Sequence, residues 1–469
     1  MTARQQGTPQ DLVERAIDLS TADGCIVLVE DVDRANIRWA NNTLTTNGQS
    51  HSRRVTVIST VAGQTGMAVG VLTRAGTDED TIADQVAASE SAARSAGPAG
   101  DAGPLIEGGA DADFADPVSH TSIGVFGEVA RGLGQAFDEA RAVGHLLFGY
   151  GEHEMRTTYL GTSTGVRRRH AQPTGNMQLN AKSADLTRSA YVAAAITDFA
   201  DIDVIAMNER LATRLEWAKR RVELPAGRYE TLLPPDAVAD FVTFAHYFGG
   251  SARDANDGRS VYSRPGGGTR IGDQLCGDVR VTLSSDPNAV GMQCAPFVMA
   301  HANNELESVF DDGLALTPTE WISDGVLTNL VATRHAARET GLPAAPYIDN
   351  LTMTASTGGS GATLDEMIAN TTRGLLLTCV WYVRPVDPQT LLATGLTRDG
   401  VYLVENGEVT GAVNNFRFNE SPVEMLHRLA EVGQSERCVG REFGEYFNRT
   451  KMPTLRVGDF NMSSVSQAA

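Results

Sequence analysis

The sequence predicts an α+β protein: an N-terminal mixed α/β region and a C-terminal β-rich, barrel-like domain. Three observations predict it. Strand-like runs at 25–33, 35–48 and 53–73 lie between helix-like segments at 10–21 and 78–95. Residues 203–221, DVIAMNERLATRLEWAKRR, repeat apolar side chains at spacings of three and four, as an amphipathic helix does. From about residue 222, short β-rich runs alternate with Gly, Asp and Pro turns, the texture of a barrel or a sheet-based sandwich.

In chain order, residues 10–21 place Leu12, Val13, Ala16, Ile17 and Leu19 on one helical face. The run 53–73 contains Gly-Gln-Thr-Gly between two β-rich halves, which predicts an antiparallel meander. The acidic stretch Thr77-Asp78-Glu79-Asp80 suits the N-terminus of the helix that follows. Residues 96–117, rich in Gly, Ala, Pro and Asp, read as a linker or a long surface connection. Beyond them come a glycine-weakened helix at 123–144 and strand-like runs at 145–165 and 166–183. Asn406-Gly407 inside VYLVENGEVTGAV (401–413) is the strongest two-residue hairpin signal in the chain. The expected organisation is therefore three units, 1–100, 101–221 and 222–469.

Composition excludes several classes of partner. The net charge of −19 repels nucleic-acid phosphates and anionic membranes. The run Arg167-Arg168-Arg169-His170 reads as a solvated strand or loop rather than a nucleic-acid contact. No apolar run is long enough to span a bilayer, and the N-terminal residues show no apolar export signal. The five cysteines (Cys25, Cys276, Cys294, Cys379, Cys438) are odd in number and never spaced CxxC. That usage fits a reducing cytoplasm and neither a disulfide framework nor a zinc ribbon.

Candidate chemistry is sparse. The apolar helix-like stretch DFVTFAHYFGG (240–250) carries one histidine, His246. A helical metal site needs a second ligand three to five residues away, with a carboxylate as base. Around His246 stand Phe241, Val242, Thr243, Gly249, Gly250 and Ser251, none of which binds zinc well. His145 and His153 share a strand face but lie too far apart for one metal, and Glu152 and Glu154 point the other way. Cys25 and Cys379 read as core residues, Cys276 and Cys294 as either core or surface, and Cys438 as the most exposed. The glycine stretches 264–270 and 356–366 match no phosphate-binding pattern and read as flexible loops that substrate can approach closely. A cysteine-dependent hydrolase would draw on Cys438 or Cys276 with a distant His301 or His427.

Several segments in their order resemble the TldD/PmbA family: RWANNTLTTNG near the N-terminus, GLLLTCVWY, the hairpin GVYLVENGEVTGAVNNFRF and the closing KMPTLRVGDFNMSSVS. The resemblance spans nearly the whole chain. It implies a pair of related subunits acting in proteolysis of unfolded or small peptides. TldD-type subunits carry HExxxH on a mid-chain helix, with a distant C-terminal cysteine completing a zinc site. TldE (PmbA)-type subunits lack the histidines and associate with TldD. Here the matching helix, with Ser260-Val261 as the anchor of the register, puts Thr243 and Phe248 at the histidine positions and Phe244 at the glutamate. Cys438 in SERCVG matches the distant cysteine, which alone holds zinc poorly.

The resemblance thus implies a non-catalytic, cytoplasmic TldE/PmbA-like subunit of a heteromeric metallopeptidase, with no catalytic, cofactor or metal residue of its own. Zinc is expected in a TldD-like partner, and a peptide or unfolded protein as substrate. The alternatives are the cysteine-dependent hydrolase and a peptide-binding protein of a biosynthetic pathway.

Overall fold

A computed structural model describes residues 7–466. Residues 1–6, part of the stretch read as lacking an export signal, and 467–469, the end of the third expected unit, lie outside it. Two large sheets and a small one carry the fold, which is mixed α/β as expected, but the sheets are open and close no barrel.

The first sheet is antiparallel and six-stranded, in the order β3-β2-β1-β4-β5-β6. Its strands are β1 (Gly24–Ala40), β2 (Thr43–Gly63), β3 (Gly66–Ala75), β4 (His145–Thr162), β5 (Arg167–Ser183) and β6 (Ser189–Ile196). The predicted strand 35–48 is broken in the middle. Asn41 and Asn42 take φ of 51° and 57° and turn β1 into β2, a conformation asparagine tolerates better than most residues. The turn expected within 53–73 joins β2 to β3. Strands β1–β3 precede the segment 96–117 and β4–β6 follow it, so the sheet spans both expected N-terminal units.

Odd-numbered residues of β1 face the helices. Cys25, Val27 and Val29 pack under α1 (Pro9–Leu19) and α2 (Ile82–Ser95). Ala35, Ile37 and Trp39 pack under α3 (Gly127–Ala142) and α4 (Val204–Trp217). Helix α1 begins with a capping box between Thr8 and Asp11, and the Asp203 side chain caps α4. Helix α2 starts at Ile82, after a turn in which Asp78 and Thr81 bond each other. It lies so close to β3 that a Cβ on Gly70 would meet the Ser89 carbonyl oxygen at 2.2 Å. The opposite face of the sheet receives residues of the C-terminal half, where Ile26, Leu28 and Leu160 meet Phe297, Val298 and Phe310.

The C-terminal half holds an eleven-stranded mixed sheet and a four-stranded antiparallel one. At the centre of the larger, the strand Thr450–Met462 pairs with Gly227–Leu233 and with Leu429–Cys438. The expected hairpin forms between Val401–Glu405 and Glu408–Val413, with Asn406 and Gly407 both at positive φ. Helix α5 (Pro235–Gly249) opens with proline in its first turn. It buries Phe241 against Phe418 and Phe460 at ring separations of 5.4 and 5.9 Å.

Candidate functional site

Helix α5 is the stretch in which the sequence offered His246. The imidazole is 7% exposed, and its Nε2 has no hydrogen-bond partner. Its ring lies 5.0 Å from Trp321 and, stacked, 5.5 Å from Tyr347. Burial pushes its pKa down to about 4, so it is neutral near pH 7. It also borders a small apolar cavity of about 40 Å³. One turn earlier, Thr243 is buried and Phe244 is fully covered, with its ring 4.9 Å from Phe248 and 6.1 Å from Phe443. Tyr247 and Phe248 are exposed.

Two aspartates of α5 hold the turn that follows Cys438. Asp240 is fully buried and accepts the backbone N–H groups of Arg441 (2.9 Å), Glu442 (3.0 Å) and Phe443 (3.0 Å). Asp236 accepts that of Val439 at 3.2 Å. Desolvation raises both acids, Asp240 to about 7. Gly440 is required here, since a Cβ on it would sit 2.2 Å from Asp240 Oδ1.

Cys438, expected to be the most exposed cysteine, is buried. Gln434 and Glu436, earlier in the same strand, are exposed, but Cys438 ends the strand opposite fully buried Thr450 and is followed by buried Val439. Its Sγ lies 3.5 Å from Thr450 Oγ1, and burial pushes its thiol well above the usual range. The other four cysteines are buried too. Both His301 and His427 are exposed, and among the described residues no hydrogen bond joins either to Cys276 or Cys438. Among the described residues there is also no group of three or more His, Cys, Asp or Glu placed to hold a metal ion. Thr243, Phe244, Phe248 and Cys438 therefore do not fit a zinc ion: they offer one poor donor, two hydrocarbon rings and a protonated thiol.

The remaining sequence candidates are structural. His153 is buried with Nδ1 2.7 Å from Thr121 Oγ1 and Nε2 3.1 Å from the Thr197 carbonyl, while burial lowers half-covered His145. Each arginine of the basic run faces an acid: Arg167 with Glu14 at 2.6 Å, Arg168 with Asp111 at 2.7 Å, Arg169 with Asp113 at 3.7 Å. Gly266, Gly267 and Gly268, all at positive φ, form a tight exposed turn.

The larger cavity, about 430 Å³, lies between the six-stranded sheet and the C-terminal half. One wall comes from the even-numbered face of β1, β4 and β5. There the register aligns Glu30, Thr158 and His170 in one row, and Arg34, Glu154 and Thr174 in another, with Arg156 between. Arg156 bridges Glu30 (2.6 Å) and Glu154 (2.9 Å). The facing wall is built from 295–316, 346–349 and 445–449. Arg449 ties the walls together, bonding Thr174 Oγ1 at 3.2 Å, the Asp349 carbonyl at 3.0 Å and the Asp349 carboxylate. Sequence reasoning missed this cleft. Its one local signal was polar side chains at alternate positions of 154–158 and 170–174.

The C-terminal half, residues 226–464, matches the model of the PmbA/TldA metallopeptidase C-terminal domain. No curated protein matches the chain. Among solved structures, TldE from Thermococcus kodakarensis aligns over 96% of this chain and 99% of its own, with a TM-score of 0.74 at 14% identity. A "putative modulator of DNA gyrase" from Bacteroides thetaiotaomicron aligns over 97% and 98%, with a TM-score of 0.76 at 15% identity. Another, from Thermotoga maritima, aligns over 96% and 99%, with a TM-score of 0.74 at 15% identity. At such identities the likeness is one of fold.

Proposed function

This chain belongs to the PmbA/TldD family, and on that premise we propose that it is the non-catalytic TldE/PmbA-type subunit of a cytoplasmic two-component zinc metallopeptidase. In this reading it pairs with a TldD-like subunit that carries the zinc, and the pair cleaves unfolded or small peptides, in maturation or in degradation. The observation that carries the reading is the filling of α5. Where the resemblance puts two histidines and a glutamate, this helix has Thr243, Phe248 and Phe244, the last packed between Phe248 and Phe443. A fully covered phenyl ring leaves neither donor atoms nor room for a hydrated cation. Half-buried Asp236 and fully buried Asp240 nevertheless fasten α5 to the Cys438 turn, so the helix–turn contact remains without metal ligands.

The burial of all five cysteines weighs against the cysteine-dependent alternative, because a nucleophilic thiol has to reach both substrate and base. Against the carrier alternative, the test is co-expression with a TldD-like homologue followed by size-exclusion chromatography. The reading predicts that the two chains elute together. A chain that elutes alone under all conditions contradicts it.

A further inference from the structure

The cleft between the two halves has a chemistry that the proposed pairing does not explain. Its lining contains six carboxylates (Glu30, Glu154, Glu307, Asp311, Asp349 and Glu445) and only two guanidinium groups, those of Arg156 and Arg449. Four of the acids are already matched: Glu30 and Glu154 by Arg156, Asp311 by Arg334 at 2.6 Å, and Asp349 by Arg449. Glu307 is different. It is half-buried, accepts a 3.3 Å hydrogen bond from the Asn304 amide, and among the described residues has no lysine or arginine within ion-pair distance. Desolvation raises its pKa, with His301 on one side lowering it and Asp349 on the other raising it further. A carboxylate held in such a place is short of a cation.

The rest of the cleft suits the body of such a ligand. Leu306, Leu316 and Pro346 offer apolar surface, and the rings of Tyr347 and Tyr446 line the same space. Tyr446 is 84% exposed at the rim, beside exposed Glu445. An apolar stem ending in a positive head fits walls of this kind, the stem against hydrocarbon and the head on carboxylate and ring faces. A volume of about 430 Å³ accommodates one long side chain with its flanking backbone.

We infer that this cleft binds a lysine or arginine side chain of a peptide, with Glu307 as the partner of its charge and Glu445 at the entrance. The inference rests on reading the chain as a peptide-processing subunit and adds a preference for cationic side chains. Binding supplies the missing counter-ion to Glu307 and draws its pKa back towards the ordinary range.

The test is fluorescence anisotropy on the purified full-length chain with three labelled pentapeptides that differ at the central residue: lysine, norleucine or glutamate. Norleucine keeps the stem and removes the charge. The expected result is binding of the lysine peptide about tenfold tighter than the norleucine one, as one charge-assisted contact provides. The glutamate peptide is expected to bind weakest. Glu307→Gln abolishes the lysine preference, Glu445→Gln lowers it about twofold to threefold, and Glu408→Gln, in a distant hairpin, leaves it intact. Thermal melting checks that Glu307→Gln is folded; should it not fold, exposed Glu445 carries the test. Equal binding of the three peptides, no binding, or a preference that survives both cleft variants overturns the inference. Co-elution with the TldD-like chain is scored separately, so an unsubstituted chain that shows no lysine preference yet still forms the complex overturns the cleft assignment and leaves the pairing standing.

Discussion

Replacing Asp240 by asparagine changes how stability depends on pH, and the size of the change follows from the structure. The carboxylate is fully buried, and desolvation lifts it from an ordinary 3.8 to about 7. Between those values the unfolded chain has released this proton and the folded chain still holds it. Stability from this group is therefore greatest below about pH 4, declines as pH rises to about 7, and is level above. At about 1.4 kcal/mol per tenfold change in proton affinity, the decline totals about 4 kcal/mol. Asparagine does not titrate. Its oxygen can replace Oδ1, which accepts from Glu442 and Phe443, but its amide cannot accept from Arg441 in place of Oδ2. That orphaned N–H costs about 1–3 kcal/mol at every pH. Urea unfolding of both proteins from pH 4 to pH 8, compared at equal m-value, isolates the effect. The stability difference is expected to move by about 4 kcal/mol in favour of Asp240→Asn across that range. A difference that stays constant refutes the reasoning.

His246 on the same helix predicts the opposite slope. Its pKa falls from 6.5 to about 4, so the unfolded chain takes up a proton that the folded one refuses, and stability declines as pH drops through that window. His246→Phe removes about 3 kcal/mol of this decline and costs less than about 1.5 kcal/mol near pH 7, since no hydrogen bond of Nε2 is lost; urea midpoints at pH 4.5 and 7 check both. For the thiols, a chromogenic disulfide reagent is expected to find no fast-reacting cysteine in the native protein and five after unfolding.

Local patterning made much of the fold legible. The helical periodicity at 203–221 marks α4, and Asn406-Gly407 turns its hairpin where a positive-φ pair belongs. Helix α5 was visible from DFVTFAHYFGG, including the isolation of His246. What escaped depends on pairing between distant segments. The cleft wall exists because Glu30, Arg156 and His170 fall on one face when β1, β4 and β5 align, a register no single strand announces. Cys438 misled for a related reason: Glu436 before it is exposed, but the strand's end pairs with fully buried Thr450 from the centre of the sheet, so SERCVG looked polar although the thiol is covered. Asp236 and Asp240 passed unnoticed because their partners are backbone N–H groups two hundred residues away, which leave no mark on composition.

The central claim, that this chain is the metal-free partner of a zinc-bearing subunit, is tested most directly by metal analysis of the purified chain beside the co-expressed pair, with peptidase assays on both. The account predicts no stoichiometric zinc and no activity for the chain alone, and zinc with activity in the pair. One tightly bound zinc per isolated chain, accompanied by peptide cleavage, would contradict it.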